Sequence, residues 1–317
     1  MIGPEKSLWS ATSLMPRMTA RLCPRPCLSA GKPANSALSF RPPGLVRTIS
    51  AFYSKVVVIG AGVIGLEVAA AAVELGCVVH VLEVAPHAMG RSLPLAVSEA
   101  LVSKHHSRGV DLRFGVRVAA LEGRGTVSSV RLEGGEVIAC DVVVYGVGVR
   151  PRTELAEVAG LAVDNGIVVN RLLQTQDPDI FACGDVCRYE SRLFGRALRL
   201  ENWRNAEDQA DTAARNMLGQ EKAFDEVPWF WSNQHDFAQV AGLPTHGEIT
   251  IPATSGAARL FLSVTADGVL RGANAIGPVR DVAGPIRKLK AAIALAPTID
   301  IGTNGCSPAA IDAVLEN

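Results

Sequence analysis

Three glycines, Gly60, Gly62 and Gly65, punctuate VVVIGAGVIGLE at residues 56–67, after an apolar β-branched run and before a helix-like stretch. This Gly-x-Gly-x-x-Gly spacing suits a backbone that must lie against a pyrophosphate. Gly60 permits the tight turn, Gly62 lets the backbone approach the phosphates, and Gly65 lets the helix pack closely on the strand. The start of that helix supplies free N–H groups and a partial positive charge. The next apolar run, CVVHVLE at 77–83, ends in Glu83, 18 residues beyond Gly65. That is near the about 20 expected for a carboxylate that accepts the ribose hydroxyls. A carboxylate there repels a 2′-phosphate, so NAD is favoured over NADP. FAD also carries a free ribose diol, and on these residues both NAD and FAD remain open.

Further along, DVVVYGVGVRP at 141–151 places Gly146 and Gly148 at a strand end, where glycines again permit close approach of a ligand or simply a strand-to-loop turn. TQDPDIFACGDV at 175–186 reads as a strand, IFAC, running into Gly184 and Asp185. A carboxylate at the C-terminal edge of a strand lies where open α/β sheets bind ligands. Trp203 stands near the start of a helix, and Trp229 and Trp231 follow in VPWFWSNQHDFAQVAG, so three of the four tryptophans fall between 203 and 231. Core packing accounts for such aromatics, and so does a planar ring beside them.

The elements that must hold these residues alternate. Lys55–Ile59 is expected as a buried parallel strand, 66–75 as a helix, 77–83 as the next strand and 97–109 as an amphipathic helix with His105 and His106 on its surface. VDLRFGVRVAALEG, TVSSVRLEGG and EVIACDVVVYGVGVRP fit a three-stranded antiparallel insert and a return to the first sheet. EITIPA, ARLFLSVT and GVLRGANAIG alternate as strands, and DVAGPIRKLKAAIA reads as a helix carrying the basic residues Arg287, Lys288 and Lys290. Such a cluster suits an acidic docking partner, or a plain solvated helix face.

Composition bounds the rest. The 317 residues carry zero formal net charge, which points to neither nucleic acid nor bulk membrane attraction, and 48% are apolar, enough for a real core. No apolar run reaches the length of a membrane span. The seven cysteines, 23, 27, 77, 140, 183, 187 and 306, form no Cys-x-x-Cys and have no His ligands beside them. No metal site is expected, and the odd number argues against a disulfide framework. Residues 1–54 differ from the remainder: one acid, Glu5, accompanies seven basic residues and frequent Ser and Pro. This segment is expected to be a disordered leader similar to an organelle transit peptide, placing the protein in the mitochondrion or, without targeting, the cytoplasm.

VVVIGAGVIGLE, GVGVRPRTELA, TQDPDIFACGDV, LENWRNA and VPWFWSNQ together resemble the FAD/NAD-dependent pyridine nucleotide-disulphide oxidoreductases, from about Lys55 to about Ala292. Within them the chain is similar to the ferredoxin reductases that serve ring-hydroxylating dioxygenase and cytochrome P450 systems. The WFWSNQ stretch favours that group over flavoproteins like apoptosis-inducing factor. The resemblance implies an α/β fold: a Rossmann-like NAD-binding domain at 55–150, the C-terminal part of an FAD-binding domain at 151–227, and a small α+β C-terminal domain and tail at 228–317. It assigns Gly60, Gly62 and Gly65 to NADH rather than FAD. It places Glu67 near the nicotinamide, Gly146 and Gly148 in the turn beneath it, and Gly184 and Asp185 at the FAD ribityl chain. Trp203 falls where the backbone approaches the flavin ring, and Trp231 beside the isoalloxazine, with Glu67 and Trp231 only positioning the rings. His87 stands where many relatives carry Arg, and Arg204 and Asn205 where other polar residues are common.

The implied reaction passes a hydride from NADH to FAD and single electrons to a [2Fe–2S] ferredoxin-like partner. The family's first FAD-binding glycine motif has no counterpart before Lys55. The expectation is therefore a chain that binds NADH weakly and FAD poorly or not at all. The alternative is a non-catalytic NAD-binding fragment.

Overall fold

The computed structural model describes residues 9–10, 54–244 and 249–299. The expectations for the remainder of the leader, and for Cys23, Cys27 and Cys306, lie outside the described residues. Residues 9–10 form a two-residue strand, β1 (Trp9–Ser10). Two compact units are present. One comprises the described residues up to Arg91, Ser98–Val147 and Asn233–His235. The other comprises Ser92–Val97, Gly148–Ser232 and the described residues from Asp236 on.

The first unit is built on β2 (Lys55–Ile59), α1 (Val63–Glu74), β3 (Val78–Glu83), α2 (Leu95–Ser107) from Ser98 on, β4 (Val110–Phe114) and β8 (Val142–Tyr145). The four strands pair in parallel in the order β4-β3-β2-β8. Val56, Val57 and Val58 on β2 are fully buried, as a strand covered on both faces requires. Between β4 and β8 lies the expected insert, β5 (Val118–Arg124), β6 (Thr126–Leu132) and β7 (Val137–Ala139), paired antiparallel, with β1 on the outer edge of β5. Its Val130, Leu132, Ile138 and Cys140 close over Val57 and Leu82 of the parallel sheet. At the open end of β2, Asp141 accepts from the backbone N–H groups of Ser54 and Lys55, both at 2.9 Å. These bonds, Ser54 first, hold its carboxyl below the usual range.

The second unit holds α3 (Glu154–Val158), β9 (Ile167–Val169), a 3₁₀ turn at Gly184–Val186, β10 (Cys187–Ser191), β11 (Arg196–Leu198) and α4 (Trp203–Met217). The small sheet runs β11-β10-β9, with Tyr189 and Phe224 edge to face in its core at 5.1 Å. After it come β12 (Trp229–Gln234), β13 (Asp236–Gly242), β14 (Ile249–Ser255), β15 (Ala258–Val264), β16 (Leu270–Gly277) and α5 (Val279–Leu295). Their five strands order as β12-β13-β16-β15-β14. Large residues on β15 oppose small ones on β16, Leu260 against Ala275 and Leu262 against Ala273. The small partners leave room for one stripe of α5, Val282, Ile286, Leu289 and Ile293, which is wholly buried on that sheet. Each such side chain contributes about 1.5–3 kcal/mol.

Two expectations are corrected. His105 is not on the surface: it is fully buried. Its place on α2 explains why. Val97 and Leu101 are buried at four-residue spacing, and the next position on that stripe is His105. The segment IFAC is not a strand. It makes one bridge, Phe181 with Gln174, and the strand begins only at Cys187. Hydrogen-bonded turns at Asn170–Leu173 and Asp177–Ile180 flank this pairing and keep it to a single bridge.

Gly65 and His105 each give a test. A Cβ on Gly65 would collide with the Gly60 carbonyl oxygen and sit 3.3 Å from Val58 Cγ1. Gly65→Ala should cost about 1–3 kcal/mol of stability, the range of core overpacking, in urea unfolding. Burial, foremost, lowers the His105 pKa to about 4 from 6.5, with His235 and His106 adding to it and the Gln234 hydrogen bond opposing it. Between these values the unfolded chain holds a proton that the folded chain does not, so stability falls as pH falls. Wild type should lose about 2 kcal/mol more than His105→Gln between pH 7 and pH 5, measured by urea midpoints.

Candidate functional site

In the first unit the ends of β2, β3 and β8 meet at the glycine-rich turn. Gly60 has φ +101°, donates its N–H to Leu82 O at 2.8 Å, and could not carry a Cβ without striking the Gly146 carbonyl oxygen. Gly146 in turn donates to Ile59 O at 2.8 Å. Gly60, Gly65 and Gly146 thus share one junction, as three backbones in van der Waals contact demand. Gly62 differs: a Cβ there would meet nothing within 4 Å, so the space in front of it is open. It is also the residue before α1, which has neither a side-chain cap nor an acid in its first turn. The unsatisfied N–H groups and positive helix end therefore face that open space.

Glu83, at the end of β3, accepts from the Ala61 N–H through Oε2 at 2.7 Å and from the Ala85 N–H through Oε1 at 2.8 Å. Each oxygen retains a lone pair for a further donor. An open, Cβ-free backbone, an uncapped helix start and a carboxylate beside it fit the pyrophosphate and the ribose diol of NAD(H). Glu67, two residues past Gly65, accepts from the Asn233 backbone N–H at 3.1 Å. Gly148 lies in the second unit, exposed, with φ +99°.

In the second unit Gly184 is buried with φ +77° and donates its N–H to Gln209 Oε1 at 2.7 Å, which fixes the 3₁₀ turn on α4. Asp185 therefore projects from a turn ahead of β10, and not from the C-terminal edge of a strand as the sequence suggested. The residue is exposed, yet protein crowds its carboxyl. Desolvation, and then Glu201, raise its pKa against the pull of Arg199. Arg199 donates to the Asp185 carbonyl at 3.0 Å and pairs with Glu201 at 2.7 Å.

Trp203 opens α4, whose cap Asn202 accepts from the Asn205 N–H at 2.8 Å. Its ring is 65% exposed and stands edge-on to Trp231 at 5.8 Å, while Trp229 lies 5.5 Å from Trp231. The three tryptophans form one cluster with an open outer ring, suited to stacking on a planar group. Lys290 leans over Trp229 at 5.8 Å and lies 3.9 Å from Glu226, whereas Arg287 and Lys288 are exposed. Among the described residues no group of three or more His, Cys, Asp or Glu could hold a metal ion. No helix described is long and apolar enough to cross a membrane.

Residues not singled out by the sequence reading also reach the turn. Met89 donates its N–H to the Ala61 carbonyl at 2.9 Å, so both polar groups of Ala61 are engaged. Met89 has φ +50°, a conformation that a side-chain-bearing residue adopts only when its surroundings impose it.

Comparison with known proteins identifies the family. The pyridine nucleotide-disulphide oxidoreductase family matches residues 28–210. The chain is 41% identical over 247 residues to the ferredoxin–NAD(+) reductase component of the anthranilate 1,2-dioxygenase system of Burkholderia cepacia, covering 76% of this chain and 60% of that one. It is 40% identical over 186 residues to a putidaredoxin reductase of Pseudomonas putida, covering 58% of this chain and 44% of that one. Among solved structures, the ferredoxin reductase for the CYP199A2 system of Rhodopseudomonas palustris aligns at TM-score 0.77 and 33% identity, over 86% of this chain and 67% of that one. The covalent putidaredoxin reductase–putidaredoxin complex aligns at TM-score 0.78 and 31% identity, over 86% and 66%. The chain spans about 60% of the length of the first curated relatives it matches. With more than half of its residues matched, the chain belongs to the pyridine nucleotide-disulphide oxidoreductase family.

Proposed function

We propose that this chain is an FAD-dependent NADH oxidoreductase of the ferredoxin reductase type, with residues 55–150 binding NADH, 151–227 contributing to an FAD-binding domain and the described residues from 228 on belonging to the reductase C-terminal domain. The observation that carries this reading is the turn at Gly60–Gly65 with Glu83 bonded to Ala61 inside it. The Gly62 backbone and the start of α1 hold the pyrophosphate. Glu83 accepts the ribose hydroxyls and rejects a 2′-phosphate. Glu67 is kept in place by the Asn233 N–H, beside the glycine turn from which the nicotinamide would extend.

For FAD the fit is partial. Asp185 suits the ribityl hydroxyls, and the exposed Trp203 ring, backed by Trp231, suits the isoalloxazine. The glycine turn at 60–65 is the one Gly-x-Gly-x-x-Gly among the described residues, so they do not supply a second turn for the flavin's own pyrophosphate. A bound flavin supplies the conversion of a two-electron hydride donor into single electrons for an acceptor such as a [2Fe–2S] ferredoxin. The relatives are named for ferredoxin reductase components and putidaredoxin reductase, which supports that class of acceptor. The partial fit also favours a second reading, an NAD-binding chain without flavin chemistry of its own.

Two measurements test these readings. A protein incubated with FAD and freed of excess should show a stoichiometric visible flavin band that bleaches with NADH if it is a reductase by itself; a colourless protein that still binds NADH supports the second reading. Glu83→Gln leaves one acceptor oxygen where two are used. It should weaken NADH roughly tenfold or more, the scale of one charged hydrogen bond, and narrow the preference over NADPH, both by calorimetry. Unchanged affinity would remove Glu83 from the site.

A further inference from the structure

We propose that Gln234 is a positioning residue for the dinucleotide-binding turn, acting through Met89 and oriented by the buried His105. The inference rests on the reading of Gly60–Gly65 as the NADH turn and adds to it a support drawn from far along the chain. Residues Asn233–His235 belong to the first unit although 85 or more residues separate them from Val147. Gln234 is buried, and its Nε2 donates to the Met89 sulfur at 3.5 Å. Met89 holds the Ala61 carbonyl, and Ala61 holds Glu83. One line of contacts therefore runs from Gln234 to the carboxylate that faces the ribose.

The far end of that line is fixed by complementarity. A thioether sulfur only accepts, so the Gln234 amide must turn its NH₂ to Met89 and its oxygen away. That oxygen lies 3.2 Å from His105 Nε2, which must then carry a proton and donate. His105 is thus held as the neutral Nε2–H tautomer, and its buried Nδ1 accepts from no group among the described residues. His235 packs edge-on against His105 at 4.8 Å and has φ +65°, a left-handed conformation. Two more bonds brace the same region. Ser98 Oγ donates to the Ala88 carbonyl at 2.7 Å, and the Asn233 N–H donates to Glu67 at 3.1 Å. A core that needed only to be filled would not place a glutamine, a histidine and a methionine in this donor–acceptor order.

The test uses the full chain without ligand. Amide hydrogen exchange is followed at Ala61 and Met89, with Val79–Leu82 of β3 as the internal reference, in Gln234→Leu, Met89→Leu and His105→Gln. Met89→Leu keeps the volume and removes the acceptor, so it retains the fold. The expected result is exchange about fivefold faster at Ala61 and Met89 in Gln234→Leu and Met89→Leu, on the scale of one weak hydrogen bond, with β3 unchanged. His105→Gln keeps a donor to Gln234 and should stay within about twofold of wild type. The dissociation constants of NADH and ADP-ribose should rise together by the same factor in the first two variants. Uniform acceleration across the unit, or none at Ala61 and Met89 in Met89→Leu, overturns the proposal. If wild type binds neither NADH nor ADP-ribose while the exchange pattern holds, the NADH reading fails and the positioning role stands.

Discussion

The contact on which the first unit depends is a backbone crossing with no side chains in it. Gly60 touches the Gly146 carbonyl, and Gly65 touches the Gly60 carbonyl. A methyl group at either place meets a carbonyl oxygen at a distance no native Cβ adopts. Because the crossing is this close, α1 begins directly over the end of β2, and its uncapped first turn faces the space beyond the strand. Placing β8 against β2 sets the neighbouring loop at Gly146 in the same way. The valines of β2 follow from the same constraint: a strand with a helix on one face and a second sheet on the other has no polar side.

Much of this was legible in the sequence because each signal was local. Lys55–Ile59 and Val78–Glu83 are strands because unbroken β-branched runs of that length have no helical stripe. The insert β5–β7 was legible from turn residues between short alternating runs, and the helix after Gly65 from its alanines, although it starts three residues earlier than expected, at Val63. The place of Glu83 at the end of β3 was legible from spacing, since one β-α-β unit fixes how much chain lies between the turn and the next strand end.

What was not legible depends on long-range packing. A histidine in a polar-looking helix reads as solvated, and only the partner at residue 234 makes a buried His105 tolerable. The pattern did contain a clue, the spacing Val97, Leu101, His105, but residue type outweighed it. IFAC has strand composition, yet a strand needs a neighbour along its length, and here Gln174 meets it at one residue only. Met89 left no signal at all, because its contribution is a backbone N–H and a left-handed φ, neither of which is specific to methionine.

The two ends of β12 carry different demands. Trp229 and Trp231, near its start, build an aromatic cluster whose outer ring, Trp203, is open. Asn233 and Gln234, at its end, bond to Glu67 and Met89 around the glycine turn. In a strand, neighbouring side chains alternate faces, so Trp231 and Gln234 are free to satisfy separate surroundings. The six-residue strand thus carries tryptophans of an aromatic cluster on one set of side chains and a buried hydrogen-bonding glutamine on the other. This explains why WFWSNQ is so distinctive a stretch. Trp229 and Trp231 answer to ring packing and Gln234 to a buried hydrogen bond.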